Sequence, residues 1–230
     1  MQQLSTIWIE TFDPADVQRS WAAFFRTAAP VMREGHEQSA GLAMEYFNAF
    51  REATGAPGSA VARKADPLDI NRARDALEYS AKTTTLRGIA VGRSVEQASQ
   101  AAFTRTLGSA GRLVSEGGRQ TVIDSVRDDP ARPSWQRIPG EEPCEFCAML
   151  SARGAVYRRS TAHFEAHDHC SCEAEPVYGE RELDDRQQEW MDLWRETAEK
   201  VPKNVADRPR EQLAVWRRAY REHRSSFTAT

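Results

Sequence analysis

Cys144-Glu-Phe-Cys147 and His167-Asp-His-Cys-Ser-Cys172 bracket a turn-rich segment, and the window from Cys144 to Cys172 holds all four cysteines and three of the five histidines. One C-x-x-C turn offers two sulfurs to a single ion. The C-x-C arm adds two more, with His167 beside them, so the donor set is that of a tetrahedral zinc site. Five candidate ligands compete for four places: Cys144, Cys147, His167, Cys170 and Cys172. The same sulfurs also suit two disulfides between the arms, such as Cys144 with Cys170 and Cys147 with Cys172. Buried free thiols packed as small hydrophobes are a third possibility. Met1 to Glu10 has no basic-then-apolar signal pattern, so the expected setting is a reducing cytosol, where paired thiols hold metal more often than they oxidise. Four protein ligands would close the coordination shell and make the site structural, because a catalytic zinc keeps one position open.

The run Pro143-Cys-Glu-Phe-Cys-Ala-Met-Leu150, then Gly154-Ala-Val-Tyr157, His167-Asp-His-Cys-Ser-Cys172 and Pro176-Val177, resembles the phage Mu F-type head morphogenesis domain. That pattern is C-x-x-C-x-x-L, a glycine before a short strand, H-x-x-C-x-C, and a closing strand with Pro-Val. The likeness covers roughly the middle fifth of the chain, and the helical flanks agree with it only in general character. Ser151-Ala152-Arg153 lengthens the turn after Leu150, and Asp168 stands where the family has proline. The resemblance implies a minor capsid protein of phages with actinobacterial hosts, encoded between portal and major capsid protein. Some such relatives are named capsid maturation protease.

The chain has 230 residues, enough for one large domain or two modest ones, and its net charge of −3 gives no global pull toward nucleic acid or an anionic membrane. No apolar run approaches the length of a membrane span. With 28% charged residues, much surface accompanies each unit of core, which suits long helices or partner-covered faces.

Taken in order, Asp13-Pro14 reads as an N-cap and first helical residue, opening a helix whose stripe includes Val17, Trp21, Phe24 and Phe25. Pro30 restarts or kinks this helix, which continues to about Ala53 and carries His36 as an ordinary surface or packing residue. Thr54 to Ser59 is a loop. Asp66-Pro67 caps a second helical region, bracketed at its end by Gly88 and Gly92. Ser94-Val-Glu-Gln97 is a capping box that opens a long helix. Gly108, Gly111, Gly117 and Gly118 within it mark either a close helix approach or a break near Glu116. Gly117-Gly118-Arg119 is too short for a phosphate loop.

Asp128 to Pro133 ends the helical part. Trp135–Ile138, Ala155–Tyr157 and Glu173–Tyr178 then read as strands of a β module of about 45 residues, too small to stand on its core alone. Two charged helical stripes follow, separated by Pro202 and Pro209. The last carries Arg208, Arg210, Arg217, Arg218, Arg221 and Arg224 with Trp216 and Tyr220, a pattern able to meet DNA phosphates or a partner's acidic face. The expected fold is α+β, mainly α. Its parts are helices in 1–130, a cysteine-pinned β module in 131–179, and charged helices in 180–230.

Two functions follow. The first is a minor head protein near the portal, meeting portal and other head proteins and possibly packaged DNA through the C-terminal helix. It would be found in the host cytoplasm during assembly and then in the virion head interior. The second is a capsid maturation protease, for which Cys170 or Ser171 beside His163, His167 or His169 supplies nucleophile and base. His163-Phe-Glu-Ala-His167 spaces two histidines at i, i+4, but Glu165 is displaced by one position from the zinc-protease pattern.

Overall fold

The computed structural model describes residues 1–157 and 164–227. They form two compact units, one from 1–131 with 164–170, the other from 132–157 with 171–227. The architecture is mainly helical with one small antiparallel sheet, as the sequence predicts.

In the first unit, α1 (Gln2–Thr11), α2 (Val17–Ala53), α3 (Ile70–Leu77), a π-helical turn (Glu78–Thr83), α4 (Thr84–Ala90) and α5 (Val95–Asp128) enclose one core. The ten-residue α1 is absent from the sequence reading. It buries Leu4, Ile7 and Trp8 at helical spacing, and Trp8 stacks on Phe12 at 4.0 Å and meets Phe24 edge-on. Each such side chain contributes about 1.5–3 kcal/mol by leaving water.

Two caps differ from expectation. Asp16 caps α2 by accepting the Arg19 N–H, while Asp13 accepts the Ala15 N–H in the preceding turn. Likewise Asp69, and not Asp66, caps α3 through the N–H groups of Asn71 and Arg72. Pro30 does not interrupt α2. It sits on the exposed face, where water can satisfy the carbonyl that loses its partner. The capping box at Ser94 forms as predicted, with Ser94 and Gln97 side chains each bonded to the other's backbone N–H.

The glycines of α5 do not break it. A Cβ at Gly117 would stand 2.3 Å from the His36 carbonyl oxygen, and one at Gly118 would stand 2.8 Å from Ser39 Oγ. They are the contact surface on which α2 lies. His36 is buried there, its ring nitrogens 2.8 Å from the Leu113 carbonyl and 3.1 Å from that of Asp66. Residues 54–69 run as a loop held by α5 hydroxyls: Thr121 Oγ1 accepts the Ala65 N–H and Ser125 Oγ accepts that of Arg63. Gly117→Ala is therefore expected to destabilise this unit by about 1–3 kcal/mol, because the colliding atom is backbone and cannot rotate away. Urea unfolding checks this; an unchanged midpoint would refute the close approach.

In the second unit, β1 (Ser134–Ile138) pairs antiparallel with β2 (Glu173–Val177), Gln136 opposite Glu175. The predicted strand at Ala155–Tyr157 is instead a single bridge from Tyr157 to Trp135, whose rings stack at 4.5 Å. Gly154, at φ +63, turns the chain sharply just before it. Among the described residues the unit also has three helices: α6 (Glu145–Ser151), α7 (Asp185–Glu199) and α8 (Arg208–Phe227). Pro209 does not separate helices; it lies in the first turn of α8, where no N–H is required. Trp190, Trp216 and Tyr220 bury themselves against Ala148, Met149 and Leu150 of α6.

Candidate metal centre

Cys144 is the N-cap of α6, and its Sγ accepts the backbone N–H of Cys147 at 3.4 Å. This local turn, dictated by the C-x-x-C spacing, brings the two sulfurs to the same side. The knuckle is anchored from α8 by two polar tips of aromatic side chains. Trp216 Nε1 donates to the Glu145 carbonyl at 2.7 Å, and the Tyr220 hydroxyl donates to that of Pro143 at 2.8 Å. Both rings are buried, so each bond is made away from competing water. Burial raises the Tyr220 phenol above its ordinary range and keeps it a donor. Partial burial pushes the Glu145 carboxyl upward. Its own backbone N–H and the guanidinium groups of Arg221 and Arg217 outweigh that and hold it below the usual range.

The arm with the second set of donors is fixed to α5. Arg119, almost fully buried, donates to the Cys170 carbonyl at 2.8 Å and lies over the Phe164 ring. Arg112 pairs with Asp168 at 3.1 Å. His169 adopts φ +64, and its ring rests where a Cβ on Gly108 would be, 2.4 Å from Nε2. This is a second use of a helical glycine that spacing alone does not reveal. Glycine permits the approach, and any other residue would displace the ring. Ser171 sits with its Oγ against Gly140. His163 lies outside the described residues.

The donor atoms of Cys144, Cys147 and His167 lie within 4.8 Å of one another, and so do those of Cys147, Cys170 and Cys172. All five predicted candidates are thus brought together, with Cys147 common to both groups. Two sulfurs on one tetrahedral zinc stand about 3.8 Å apart, a spacing of the same order as the 4.8 Å within which each group lies. Cys147, Cys170 and Cys172 are buried and Cys144 partly so, and none of the four forms a disulfide. A sulfur-rich set with one imidazole matches the donor chemistry of a structural metal. The cluster could bind a metal on these grounds. The supports missed by sequence reasoning are Arg119, Gly108, Trp216 and Tyr220. The two aromatic residues left a signal there as part of an apolar stripe, and Gly108 as one of the glycines within α5.

No described helix is long and apolar enough to cross a membrane. No solved structure matches the chain. It is similar to the Gene 15 protein of Mycobacterium phage D29, 26% identical over 163 residues, which cover 68% of this chain and 54% of that protein. The chain thus spans about half the length of that curated relative. The VG15 protein family matches residues 1–197, from α1 through most of α7. On that match the chain belongs to the VG15 protein family.

Proposed function

We propose that this protein is a minor structural component of a phage head, acting in head morphogenesis beside the portal, with a structural zinc ion at its cysteine cluster. The phage relative and the Mu F-like pattern between Pro143 and Val177 support the setting. The observation that carries the structural role is the cluster itself. Four thiols and one imidazole converge, enough to fill every coordination position with protein atoms. Cys144, Cys147, Cys170 and Cys172 are the proposed ligands, with His167 able to replace one of them. Zinc there supplies a crosslink, and this chain's residues place and desolvate the sulfurs. Portal and other head proteins are the proposed partners, in the host cytoplasm during assembly and afterwards in the head interior.

The alternative is a capsid maturation protease, and heads assembled with substituted protein separate the two. His163→Ala and His169→Ala are expected to leave processing of the major capsid protein intact, read by its gel mobility. A protease relying on either imidazole as base would lose orders of magnitude in rate. Uncleaved capsid protein in heads that contain the folded variant would overturn the structural reading.

A further inference from the structure

We infer that the surface formed by the π-helical turn, α4 and the first half of α5 is a binding site for the phosphodiester backbone of DNA. Residues 79–115 contain Lys82, Arg87, Arg93, Arg105 and Arg112 against the single acid Glu96, within a chain whose net charge is negative. That one carboxylate is exposed in the first turn of α5, where its own backbone N–H and Ser94 hold it below the usual range. Lys82 is held by Glu78 and Arg112 by Asp168. Arg87, Arg93 and Arg105 are exposed, and among the described residues none of the three has a carboxylate within ion-pair distance.

Two of these guanidinium groups are held ready. Arg87 and Arg105 lie over the ring of Tyr79, 5.7 and 5.2 Å from its centroid. The ring itself is 47% exposed. Cations held on an aromatic face lose less freedom on meeting a phosphate, and their N–H forks remain available for bidentate bonding. Half-exposed Leu86 and Ile89 on α4 provide a sequence-independent footing for sugar and base faces. On the C-terminal helix, expected from sequence to be the basic surface, three of the six arginines are already ion-paired. Arg217 and Arg221 lie 3.7 and 3.1 Å from Glu145, and Arg224 lies 2.6 Å from Glu142. The first unit differs in holding two such cations on one aromatic face. Which DNA it meets rests on the reading of the chain as a head component; the binding itself is a property of this surface.

The test is fluorescence anisotropy of the full chain with a labelled DNA duplex of random sequence, and with its single strand, over a salt series. Binding of either form, falling linearly in log–log with salt, is expected. Arg87→Glu with Arg105→Glu should weaken it by about tenfold or more at low salt and reduce the slope by about two. Arg87→Gln with Arg105→Gln is the milder pair, should the charge reversal disturb folding, and should reduce the slope equally. Arg210→Glu with Arg218→Glu on α8 is the charge-matched control and should leave the slope unchanged. Absence of salt-dependent binding, or an equal loss in the control, would overturn the inference. A chain that binds DNA this way yet is missing from purified heads would overturn the head reading and leave this one standing.

Discussion

Cys147→Ser is expected to abolish metal retention and unfold the second unit while the helices of the first keep their fold. Its sulfur is the donor common to both groups of the cluster and is 2% exposed, so no neighbouring atom or water can take its place without rearrangement. Among the described residues, the unit it belongs to has a two-stranded sheet, three helices and one small apolar cluster where α6, α7 and α8 meet. Structural zinc contributes on the order of 10–16 kcal/mol in small domains, more than such a core can lose. The first unit has its own core, from Leu4 through Leu113. Purified wild-type protein should carry about one equivalent of zinc, and the variant well below half of that. Circular dichroism should retain most helix, while fluorescence reports loss of order around Trp135, Trp190 and Trp216. Reduction, but not chelation, unfolding the wild-type protein would mean disulfides. Metal-free wild-type protein, folded with all four thiols open to alkylation, would refute any crosslink.

The cluster was legible because its chemistry is local in sequence. A C-x-x-C turn sets its own geometry, and a helix that begins at Cys144 needs no distant residue to form. What holds the cluster in place was not legible. Trp216 and Tyr220 reach carbonyls more than 70 positions away, and Arg119 reaches the Cys170 carbonyl across 51. A buried arginine and an arginine on a solvated face look alike in a sequence. The glycines of α5 make the same point. Their composition reads equally as a close approach or as a break; Gly108 receives an imidazole and Gly117 a backbone carbonyl. Only the tertiary partner distinguishes a contact glycine from a helix breaker.

Element ends show a smaller version of this limit. Asp13 and Asp16, or Asp66 and Asp69, are chemically equivalent caps, and the choice falls to whichever lets the apolar stripe meet the core. Val17 is buried one residue after Asp16, and Leu68 one residue before Asp69. The basic character of α8 was visible in sequence, but the pairing of Arg217, Arg221 and Arg224 with Glu145 and Glu142 was not, since those acids arrive from the cysteine knuckle.

Asp129→Asn is expected to cost the first unit about 3–5 kcal/mol, lowering its melting temperature on the order of 10 °C. Asp129 ends α5, its side chain fully buried, and meets Arg51 at the end of α2 through Nε at 2.9 Å and Nη2 at 3.4 Å. The same guanidinium donates to the Pro57 carbonyl at 2.6 Å, so one side chain ties together two helix ends and the loop between α2 and α3. Asparagine keeps the acceptor that receives the Ala131 N–H at 2.8 Å, and it has nearly the same shape. What it removes is the charge, leaving a buried guanidinium without its counter-ion. The cost is that of an uncompensated cation and not of a cavity, which a second substitution can separate. Arg51→Met alone should also destabilise, because it abandons the Asp129 carboxylate and the Pro57 carbonyl. Combined with Asp129→Asn, it should add less than about 1 kcal/mol to the single asparagine variant, since the shared interaction is already gone. Additive losses in urea unfolding would mean that the two residues act independently, and a loss below about 1 kcal/mol for Asp129→Asn would mean that water reaches the pair.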